Sequence, residues 1–280
     1  MKKVLIIINV SKDLSMSMAK DISAYLKKKD IQSDFLSYDG FCDNFCCSGY
    51  DFVITLGGDG TVLYAARNCV DNNIPVFSVN LGQFGFISAV QQNEWQNALD
   101  LFLEGKAPFQ ERSMLTACLY RKNEKIMESY SLNDVVISAK NTARTICLDV
   151  SYNSVHLCQL KSDGVIISTP TGSTAYSASA GGPIVDPELN AYVLTPINSF
   201  SLSSRPVVLN AAGKLEVSVQ PSRTKEMCVI VDGQEPVALE NGDLIKIVCN
   251  EKKIKLIHST DERFYNALRS KLNWTGGPHA

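Results

Sequence analysis

The apolar run Val4-Leu5-Ile6-Ile7-Ile8 gives way at once to polar residues from Asn9 to Asp13, and apolar positions then recur by fours at Leu14, Met18, Ile22 and Leu26. A short unbroken apolar run is the pattern of a buried strand, and the spacing of four that of one helical face. The helix is expected to end in Lys27-Lys28-Lys29, where positive charge suits the C-terminal end of the helix dipole. A strand over 31–38 follows, then a loop holding Cys42, Cys46 and Cys47, then the apolar run Phe52-Val53-Ile54-Thr55-Leu56. An amphipathic helix begins at Val62 and runs through Ala65, Ala66, Cys69 and Val70. A strand over 74–79 and a helix over 94–103 continue the alternation. Strands alternating with helices predict a parallel sheet covered by helices. Gly105-Lys106-Ala107-Pro108 reads as the linker that ends this part of the chain.

Beyond Arg112 the period changes from helical to alternating. Short β-branched segments recur at 115–120, 135–138, 146–152, 165–169, 215–219, 227–231, 244–248 and 254–257. Many short strands with few helical stretches predict an antiparallel, sandwich-like domain. Helical spacing returns over 261–272. The expected fold is therefore α/β plus β: a Rossmann-like parallel α/β domain over 1–110, an antiparallel β-sandwich-like domain over 111–258, and a C-terminal helix and tail over 259–280 that packs back on the first domain. No internal repeat or low-complexity tract interrupts the pattern.

Composition adds bounds rather than detail. A chain of 280 residues with 45% apolar and 20% charged residues is an ordinary soluble globular protein, long enough for two cores. Its net charge of −2 argues against nucleic-acid binding by bulk charge. The N-terminal apolar run is too short for an export signal or a membrane span, so no membrane partner is expected. Nine cysteines in a chain without such a signal point to a reducing, cytoplasmic setting. Cys42, Cys46 and Cys47 could start a zinc site, but no histidine or second cysteine pair stands nearby to complete four ligands.

Candidate chemistry gathers at the strand ends. Gly57-Gly58-Asp59-Gly60-Thr61 lies between a buried strand and a helix N-terminus, where glycines let backbone N–H groups approach a phosphate and the helix dipole favours an anion. Asp59 cannot be there to attract phosphate. Either it accepts a hydroxyl proton or organises a metal ion, or it is an ordinary turn and cap residue. Asn80-Leu81-Gly82-Gln83-Phe84-Gly85-Phe86 follows the next strand, on the same rim of a parallel sheet, so both loops could share one ligand. Phe86 either stacks on a ring of that ligand or closes the loop over the core. The longest signal runs from Ser162-Asp163-Gly164 through Thr169-Pro170-Thr171-Gly172-Ser173-Thr174-Ala175-Tyr176-Ser177-Ala178-Ser179 to Gly181-Gly182-Pro183: a strand, a hydroxyl-rich turn, a helix of small residues and a stop. Thr171, Thr174 and Ser179 offer neutral hydrogen bonds there, and Tyr176 a flat face. Asn133-Asp134 opens a strand and, taken alone, reads as a turn.

These motifs, in this order, resemble the NAD kinases over nearly the whole chain. The first motif is shared with diacylglycerol kinases, sphingosine kinases and phosphofructokinases; the run from Thr169 to Pro183 is the specific one. The resemblance implies transfer of a phosphoryl group from ATP, or polyphosphate, to the 2′-hydroxyl of the adenosine ribose of NAD, with a divalent cation, expected to be Mg2+. It makes Asp59 the catalytic residue that acts on that hydroxyl and assigns no residue as metal ligand. Gly57, Gly58, Gly60 and Thr61 would bind phosphate, and Asn133 and Asp134 the ribose hydroxyls. Phe86 would lie near the adenine and Asp163 on the nicotinamide side. Thr171, Thr174, Ala175, Tyr176 and Ser179 would line the pocket, with Lys161 and Gln234 as further contacts. It also implies a cytoplasmic homodimer or homotetramer built through the second domain. The chain departs from the family at Gln83 and Phe84, where His and Leu are usual, and at Phe200, where His often precedes Ser-Leu-Ser. A lipid or sphingoid kinase of the same superfamily and a catalytically silent dinucleotide-binding regulator are the competing readings. The hydroxyl-rich run argues against the first, and the acid at position 59 against the second.

Overall fold

The computed structural model describes residues 2–40, 45–82, 85–141, 144–224 and 226–272. They fall into two compact units, Met1–Arg112 with Lys252–Ala280, and Ser113–Glu251.

The first unit is built on a sheet ordered Gln32–Tyr38, Lys3–Asn9, Phe52–Gly57, Val76–Asn80, Ile254–Ile257 and Phe109–Arg112, with the two-residue strand Val90–Gln91 beside Val76–Asn80. All neighbours run parallel except Phe109–Arg112, which is antiparallel at the edge. The central strands Lys3–Asn9 and Phe52–Gly57 are buried along almost their whole length, as helices on a parallel sheet require. Strand order reverses direction between Lys3–Asn9 and Phe52–Gly57, so a crevice opens at the carboxyl ends of those two strands. That is where Gly57 lies.

Two expectations are corrected here. The helix Ser15–Lys27 buries Ser15, Ala19, Ile22 and Leu26, whereas Leu14 is 55% exposed. A spacing of four residues advances 400° around a helix, so a run of fours drifts off the face that a mixture of threes and fours keeps. The strand Ile254–Ile257 was expected in the second domain, yet it pairs in parallel with Val76–Asn80 and antiparallel with Phe109–Arg112. The expected boundary after residue 258 thus falls after Glu251. The returning segment is tied down by buried polar groups: Arg112 donates to Ser259 Oγ at 2.8 Å, and Gln110 donates to Asp261 Oδ1 at 2.6 Å, at the start of the helix Asp261–Leu272.

The second unit consists of two six-stranded antiparallel sheets. One shows strict in-out alternation, as in Ile146–Tyr152 and Leu215–Gln220. Its inward residues Leu119, Leu148 and Val217 join Ile137, Val165 and Leu194 of the other sheet in a single core. The second sheet runs Val207–Asn210, Ala191–Ile197, Gly164–Ser168, Asp134–Ala139, Met227–Val231 and Val237–Leu239. Its middle strand Gly164–Ser168 is buried at every residue, because a central strand covered on both faces has no solvent side.

The pattern along the chain did not reveal the strands Glu124–Ser131, Val155–Ser162, Ala191–Ile197 and Val207–Asn210. Glu124–Ser131 and Val155–Ser162 are edge strands and mostly exposed, so their apolar alternation is weak. Each is nonetheless announced by a two-residue turn with positive φ, Lys122-Asn123 and Asn153-Ser154, the backbone form that tight hairpins require.

Candidate active site

In the first unit the strand Phe52–Gly57 stops at Gly57, Gly58 is extended, and the helix Asp59–Cys69 begins at the acid. Thr61 turns back toward the strand. A Cβ on Gly57 would lie 2.2 Å from Thr61 Oγ1, so only glycine lets helix and strand meet this closely. Asn9, at the end of its own strand, donates to the same Thr61 oxygen at 3.3 Å. The switch point of the sheet is therefore closed by a side chain from the strand Lys3–Asn9 and one from the first turn of the helix Asp59–Cys69, and the N–H groups of that turn face its rim.

Asp59 joins the two glycine loops. Its carboxylate accepts from the backbone N–H groups of Phe86 at 2.9 Å, Ile87 at 3.4 Å and Ser88 at 3.0 Å. A Cβ on Gly85 would stand 2.0 Å from Asp59 Oδ1. Leu81 N–H donates to the Gly57 carbonyl at 2.9 Å, and Asn80 Oδ1 accepts from Gly82 N–H, which fixes the start of the second loop. Gln83 and Phe84 lie outside the described residues. Phe86 is half-buried and its ring centroid lies 6.2 Å from that of Phe264 on the helix Asp261–Leu272, with Lys271 Nζ 5.2 Å above the ring. A cation that the sequence reading did not single out stands on the same rim: Lys12 Nζ is 3.9 Å from where a Cβ would sit on Gly82. Its position after the first strand, at a carboxyl end, was the available signal.

In the second unit Asn133-Asp134 and the hydroxyl-rich segment are pressed together. Thr169 N–H donates to the Asn133 carbonyl at 2.9 Å, and Thr169 Oγ1 donates to the Leu132 carbonyl while accepting from Gly172 N–H. A Cβ on Gly172 would lie 2.0 Å from the Asn133 carbonyl oxygen. The expected helix of small residues is shorter than its sequence suggests, a 3-10 turn Thr171–Thr174 followed by the single turn Tyr176–Ser179. Thr174 Oγ1 donates to the Thr171 carbonyl at 3.1 Å, Ala175 and Asp163 are half-buried, and Tyr176 and Ser179 are exposed. The Thr171 hydroxyl, on a residue only 4% exposed, has no hydrogen-bond partner among the described residues. An unpaired buried hydroxyl costs about 1–3 kcal/mol, so it points to a ligand group that would accept from it or donate to it.

Asp134 is buried beneath this segment. Burial first, and the neighbouring Asp232 carboxylate second, push its carboxyl up to about 7, against the opposing pull of the Tyr176 backbone N–H. Asp232 stands two residues before Gln234, in the turn Val231-Asp232-Gly233-Gln234. It accepts from Ser131 Oγ and from the N–H groups of Leu132, Asn133 and Asp134. Gln234 Nε2 donates to the Asp232 carbonyl at 3.3 Å. Lys161 and Asp163 stand apart from this cluster: Asp163 accepts from Asn198 Nδ2 at 3.0 Å, and Lys161 Nζ lies 5.1 Å over the Phe200 ring. Lys161 lines a groove of about 540 Å³ with Arg144 and Arg223.

Among the described residues of the cysteine loop, no metal site is formed. Cys42 lies outside the described residues, Cys46 is exposed, and buried Cys47 donates to the Asn68 carbonyl. Among the described residues no three His, Cys, Asp or Glu side chains stand together as metal ligands. With the Asp59 oxygens already taking three N–H groups, the donor set does not fit an ion held by the protein alone.

A glycine turn with one acid at the switch point of a parallel sheet, in one chain with a hydroxyl-rich β-sandwich, defines a protein built to handle phosphate esters. The model of the ATP-NAD kinase N-terminal domain matches residues 7–107, and that of the C-terminal domain residues 132–259. An NAD kinase of Treponema denticola is 46% identical over 277 residues, covering 99% of this chain and 98% of that protein. One from Treponema pallidum is 39% identical over 275 residues, covering 98% and 90%. The chain belongs to the ATP-NAD kinase family. Among solved structures, yeast NADH kinase complexed with NADH aligns with a TM-score of 0.88 over 99% of this chain and 89% of that one. An Archaeoglobus fulgidus NAD kinase in complex with ATP aligns at 0.78 over 99% and 100%. At 23% identity each, these two likenesses speak for the fold.

Proposed function

We propose that this chain is an NAD kinase, an enzyme that transfers the γ-phosphoryl group of ATP to the 2′-hydroxyl of the adenosine ribose of NAD. The hydroxyl oxygen attacks the γ-phosphorus, the bond to the leaving ADP oxygen breaks, and the hydroxyl proton passes to Asp59. A carboxylate offers about four acceptor sites, and three backbone N–H groups occupy the loop side of Asp59. The remaining site is free for a substrate hydroxyl, in an orientation the loop fixes. Phosphoryl transfer needs positioning and charge neutralisation more than covalent help from the protein. Gly57, Gly58, Gly60 and Thr61 serve as the phosphate cradle, with Lys12 as its cation. Asn133 and Asp134 hold the ribose, the unpaired Thr171 hydroxyl bonds the dinucleotide, and Thr174, Ala175, Tyr176 and Ser179 line its pocket. Phe86, Lys161, Asp163 and Gln234 are further contacts. A divalent cation brought with ATP, expected to be Mg2+, would supply charge neutralisation for the phosphates; among the described residues no cluster of side chains would hold it by itself.

The observation that carries this reading is the engagement of Asp59 at the sheet switch point, in a chain whose two parts both match the family. We further take the protein to be cytoplasmic and a homodimer or homotetramer. The oligomer is supported by exposed Val155, Leu157, Phe200, Leu202 and Val208 on the second unit. Among the described residues, no helix is long and apolar enough to cross a membrane.

The test is a coupled assay: purified protein with NAD, ATP and magnesium, with NADP read by an NADP-specific dehydrogenase. Asp59→Asn is expected to lower kcat by about a hundredfold to ten-thousandfold while NAD binding stays near that of the unaltered protein. Unimpaired turnover in Asp59→Asn would remove the role given to this residue. Absence of NADP with either ATP or polyphosphate, despite measurable NAD binding, would favour a silent binder.

A further inference from the structure

We propose that Asp232 is a positioning residue for the dinucleotide, holding Asn133 and Asp134 in the orientation in which they meet the ribose. This rests on the reading that Asn133 and Asp134 contact NAD.

Four observations carry it. Asp232 is 6% exposed and nearly all its acceptor capacity is spent on one segment of chain. Its Oδ1 accepts from Ser131 Oγ at 2.6 Å, Asn133 N–H at 2.8 Å and Asp134 N–H at 3.1 Å, and its Oδ2 from Leu132 N–H at 2.9 Å. In return Asp232 N–H donates to the Asp134 carbonyl at 3.0 Å. Finally, its backbone has φ of +48°, ahead of Gly233 at +67°, and Gln234 N–H closes the turn onto the Val231 carbonyl at 3.0 Å.

The chemistry explains why a carboxylate is needed. Three consecutive backbone N–H groups converging on one side chain make an anion nest, and a neutral amide can satisfy it only in part. Bonds to an ionised acceptor are roughly twice as strong as neutral ones. The turn by itself would be served as well by asparagine, which also tolerates the left-handed region. The turn alone therefore does not explain why position 232 carries a carboxylate; the converging N–H groups do. The clamp fixes the backbone from residue 131 to residue 134, and with it the direction of the Asn133 and Asp134 side chains. Among the described residues Asp232 is also the one charged side chain acting on Asp134, so its negative charge delays the ionisation of that carboxyl.

Asp232→Asn preserves shape and turn preference but places an amide N–H against one of the four donors. It is expected to raise the KM for NAD by about tenfold to a hundredfold, leave the KM for ATP unchanged, and move the acid limb of the kcat/KM profile to lower pH. A merely structural role would disturb both substrates and leave that limb in place. A folded Asp232→Asn protein with unaltered NAD affinity, or with equal losses for NAD and ATP, overturns the proposal. Should Asp232→Asn fail to fold, Ser131→Ala removes one donor and keeps the charge. A smaller rise in the KM for NAD with an unmoved acid limb supports the clamp, and an unaltered KM rejects it. Calorimetric titration of Asn133→Ala and Asp134→Asn with NAD separates the two levels. Loss of binding there with normal binding in Asp232→Asn rejects the clamp alone, whereas normal binding in both rejects the underlying reading and the clamp with it.

Discussion

The two glycine-bearing motifs crowd their surroundings in opposite ways. In the α/β unit Gly57 and Gly85 make room for side chains, the Thr61 hydroxyl and the Asp59 carboxylate. In the β unit Gly164 and Gly172 make room for backbone, the carbonyl oxygens of Ile137 and Asn133. A side chain can swing aside when a methyl group intrudes; a carbonyl inside a hydrogen-bonded ladder cannot without moving its strand. The first motif is thus fragile in function and tolerant in stability, and the second is the reverse. The difference follows from what each must do. In the proposed reaction one presents a single carboxylate at a fixed angle, and the other would serve as a rigid floor for the dinucleotide.

Substituting the glycines tests this contrast most directly. Gly85→Ala is expected to push the Asp59 carboxylate off its N–H partners and lower kcat by about a hundredfold, with little change in melting temperature. Melting by circular dichroism beside the coupled assay reads both. Gly172→Ala is expected to cost about 1–3 kcal/mol of stability, read as a lower urea midpoint with unchanged slope. If the two variants exchange these behaviours, the contrast between side-chain and backbone crowding is wrong.

The pH dependence of stability sharpens it further. A carboxyl that titrates at about 7 when folded and at its ordinary 3.8 when unfolded keeps a proton in the native state that the unfolded chain has released. Stability is therefore expected to fall as pH rises from about 4 to about 7, by something on the order of a few kcal/mol. Asp134→Asn should flatten that slope and, above pH 7, exceed the unaltered protein in stability. Denaturant midpoints across this range check it, and an unchanged slope would show that Asp134 is not the group responsible.

Much of the fold was readable because its causes are local. The runs at Val4 and Phe52, the alternation at Ile146 and Leu215, and the helical spacing over 261–272 each report how one segment meets a core. The hydroxyl-rich segment from Thr169 to Ser179 stands out in the sequence for a similar reason, since small residues in succession admit close approach and their hydroxyls offer neutral hydrogen bonds. Polar edge strands such as Glu124–Ser131 left little trace, because a strand with one or no buried face needs no apolar alternation.

What remained hidden depends on partners far away in the chain. Ile254–Ile257 reads as a strand in any setting, but only the tertiary structure assigns it to the parallel sheet, beside Val76–Asn80. Asp232 looks like half of an ordinary Asp-Gly turn; its four donors lie about a hundred residues earlier. Asp59 was conspicuous in sequence, yet its grip on residues 86–88 was not. Local periodicity and turn chemistry are written into successive residues, and so most of the elements, their order and the candidate acid could be read from the chain alone, the polar edge strands excepted. Pairing, close approach and the environment of a buried carboxyl arise between residues that chain order does not bring together, and these only the folded structure decided.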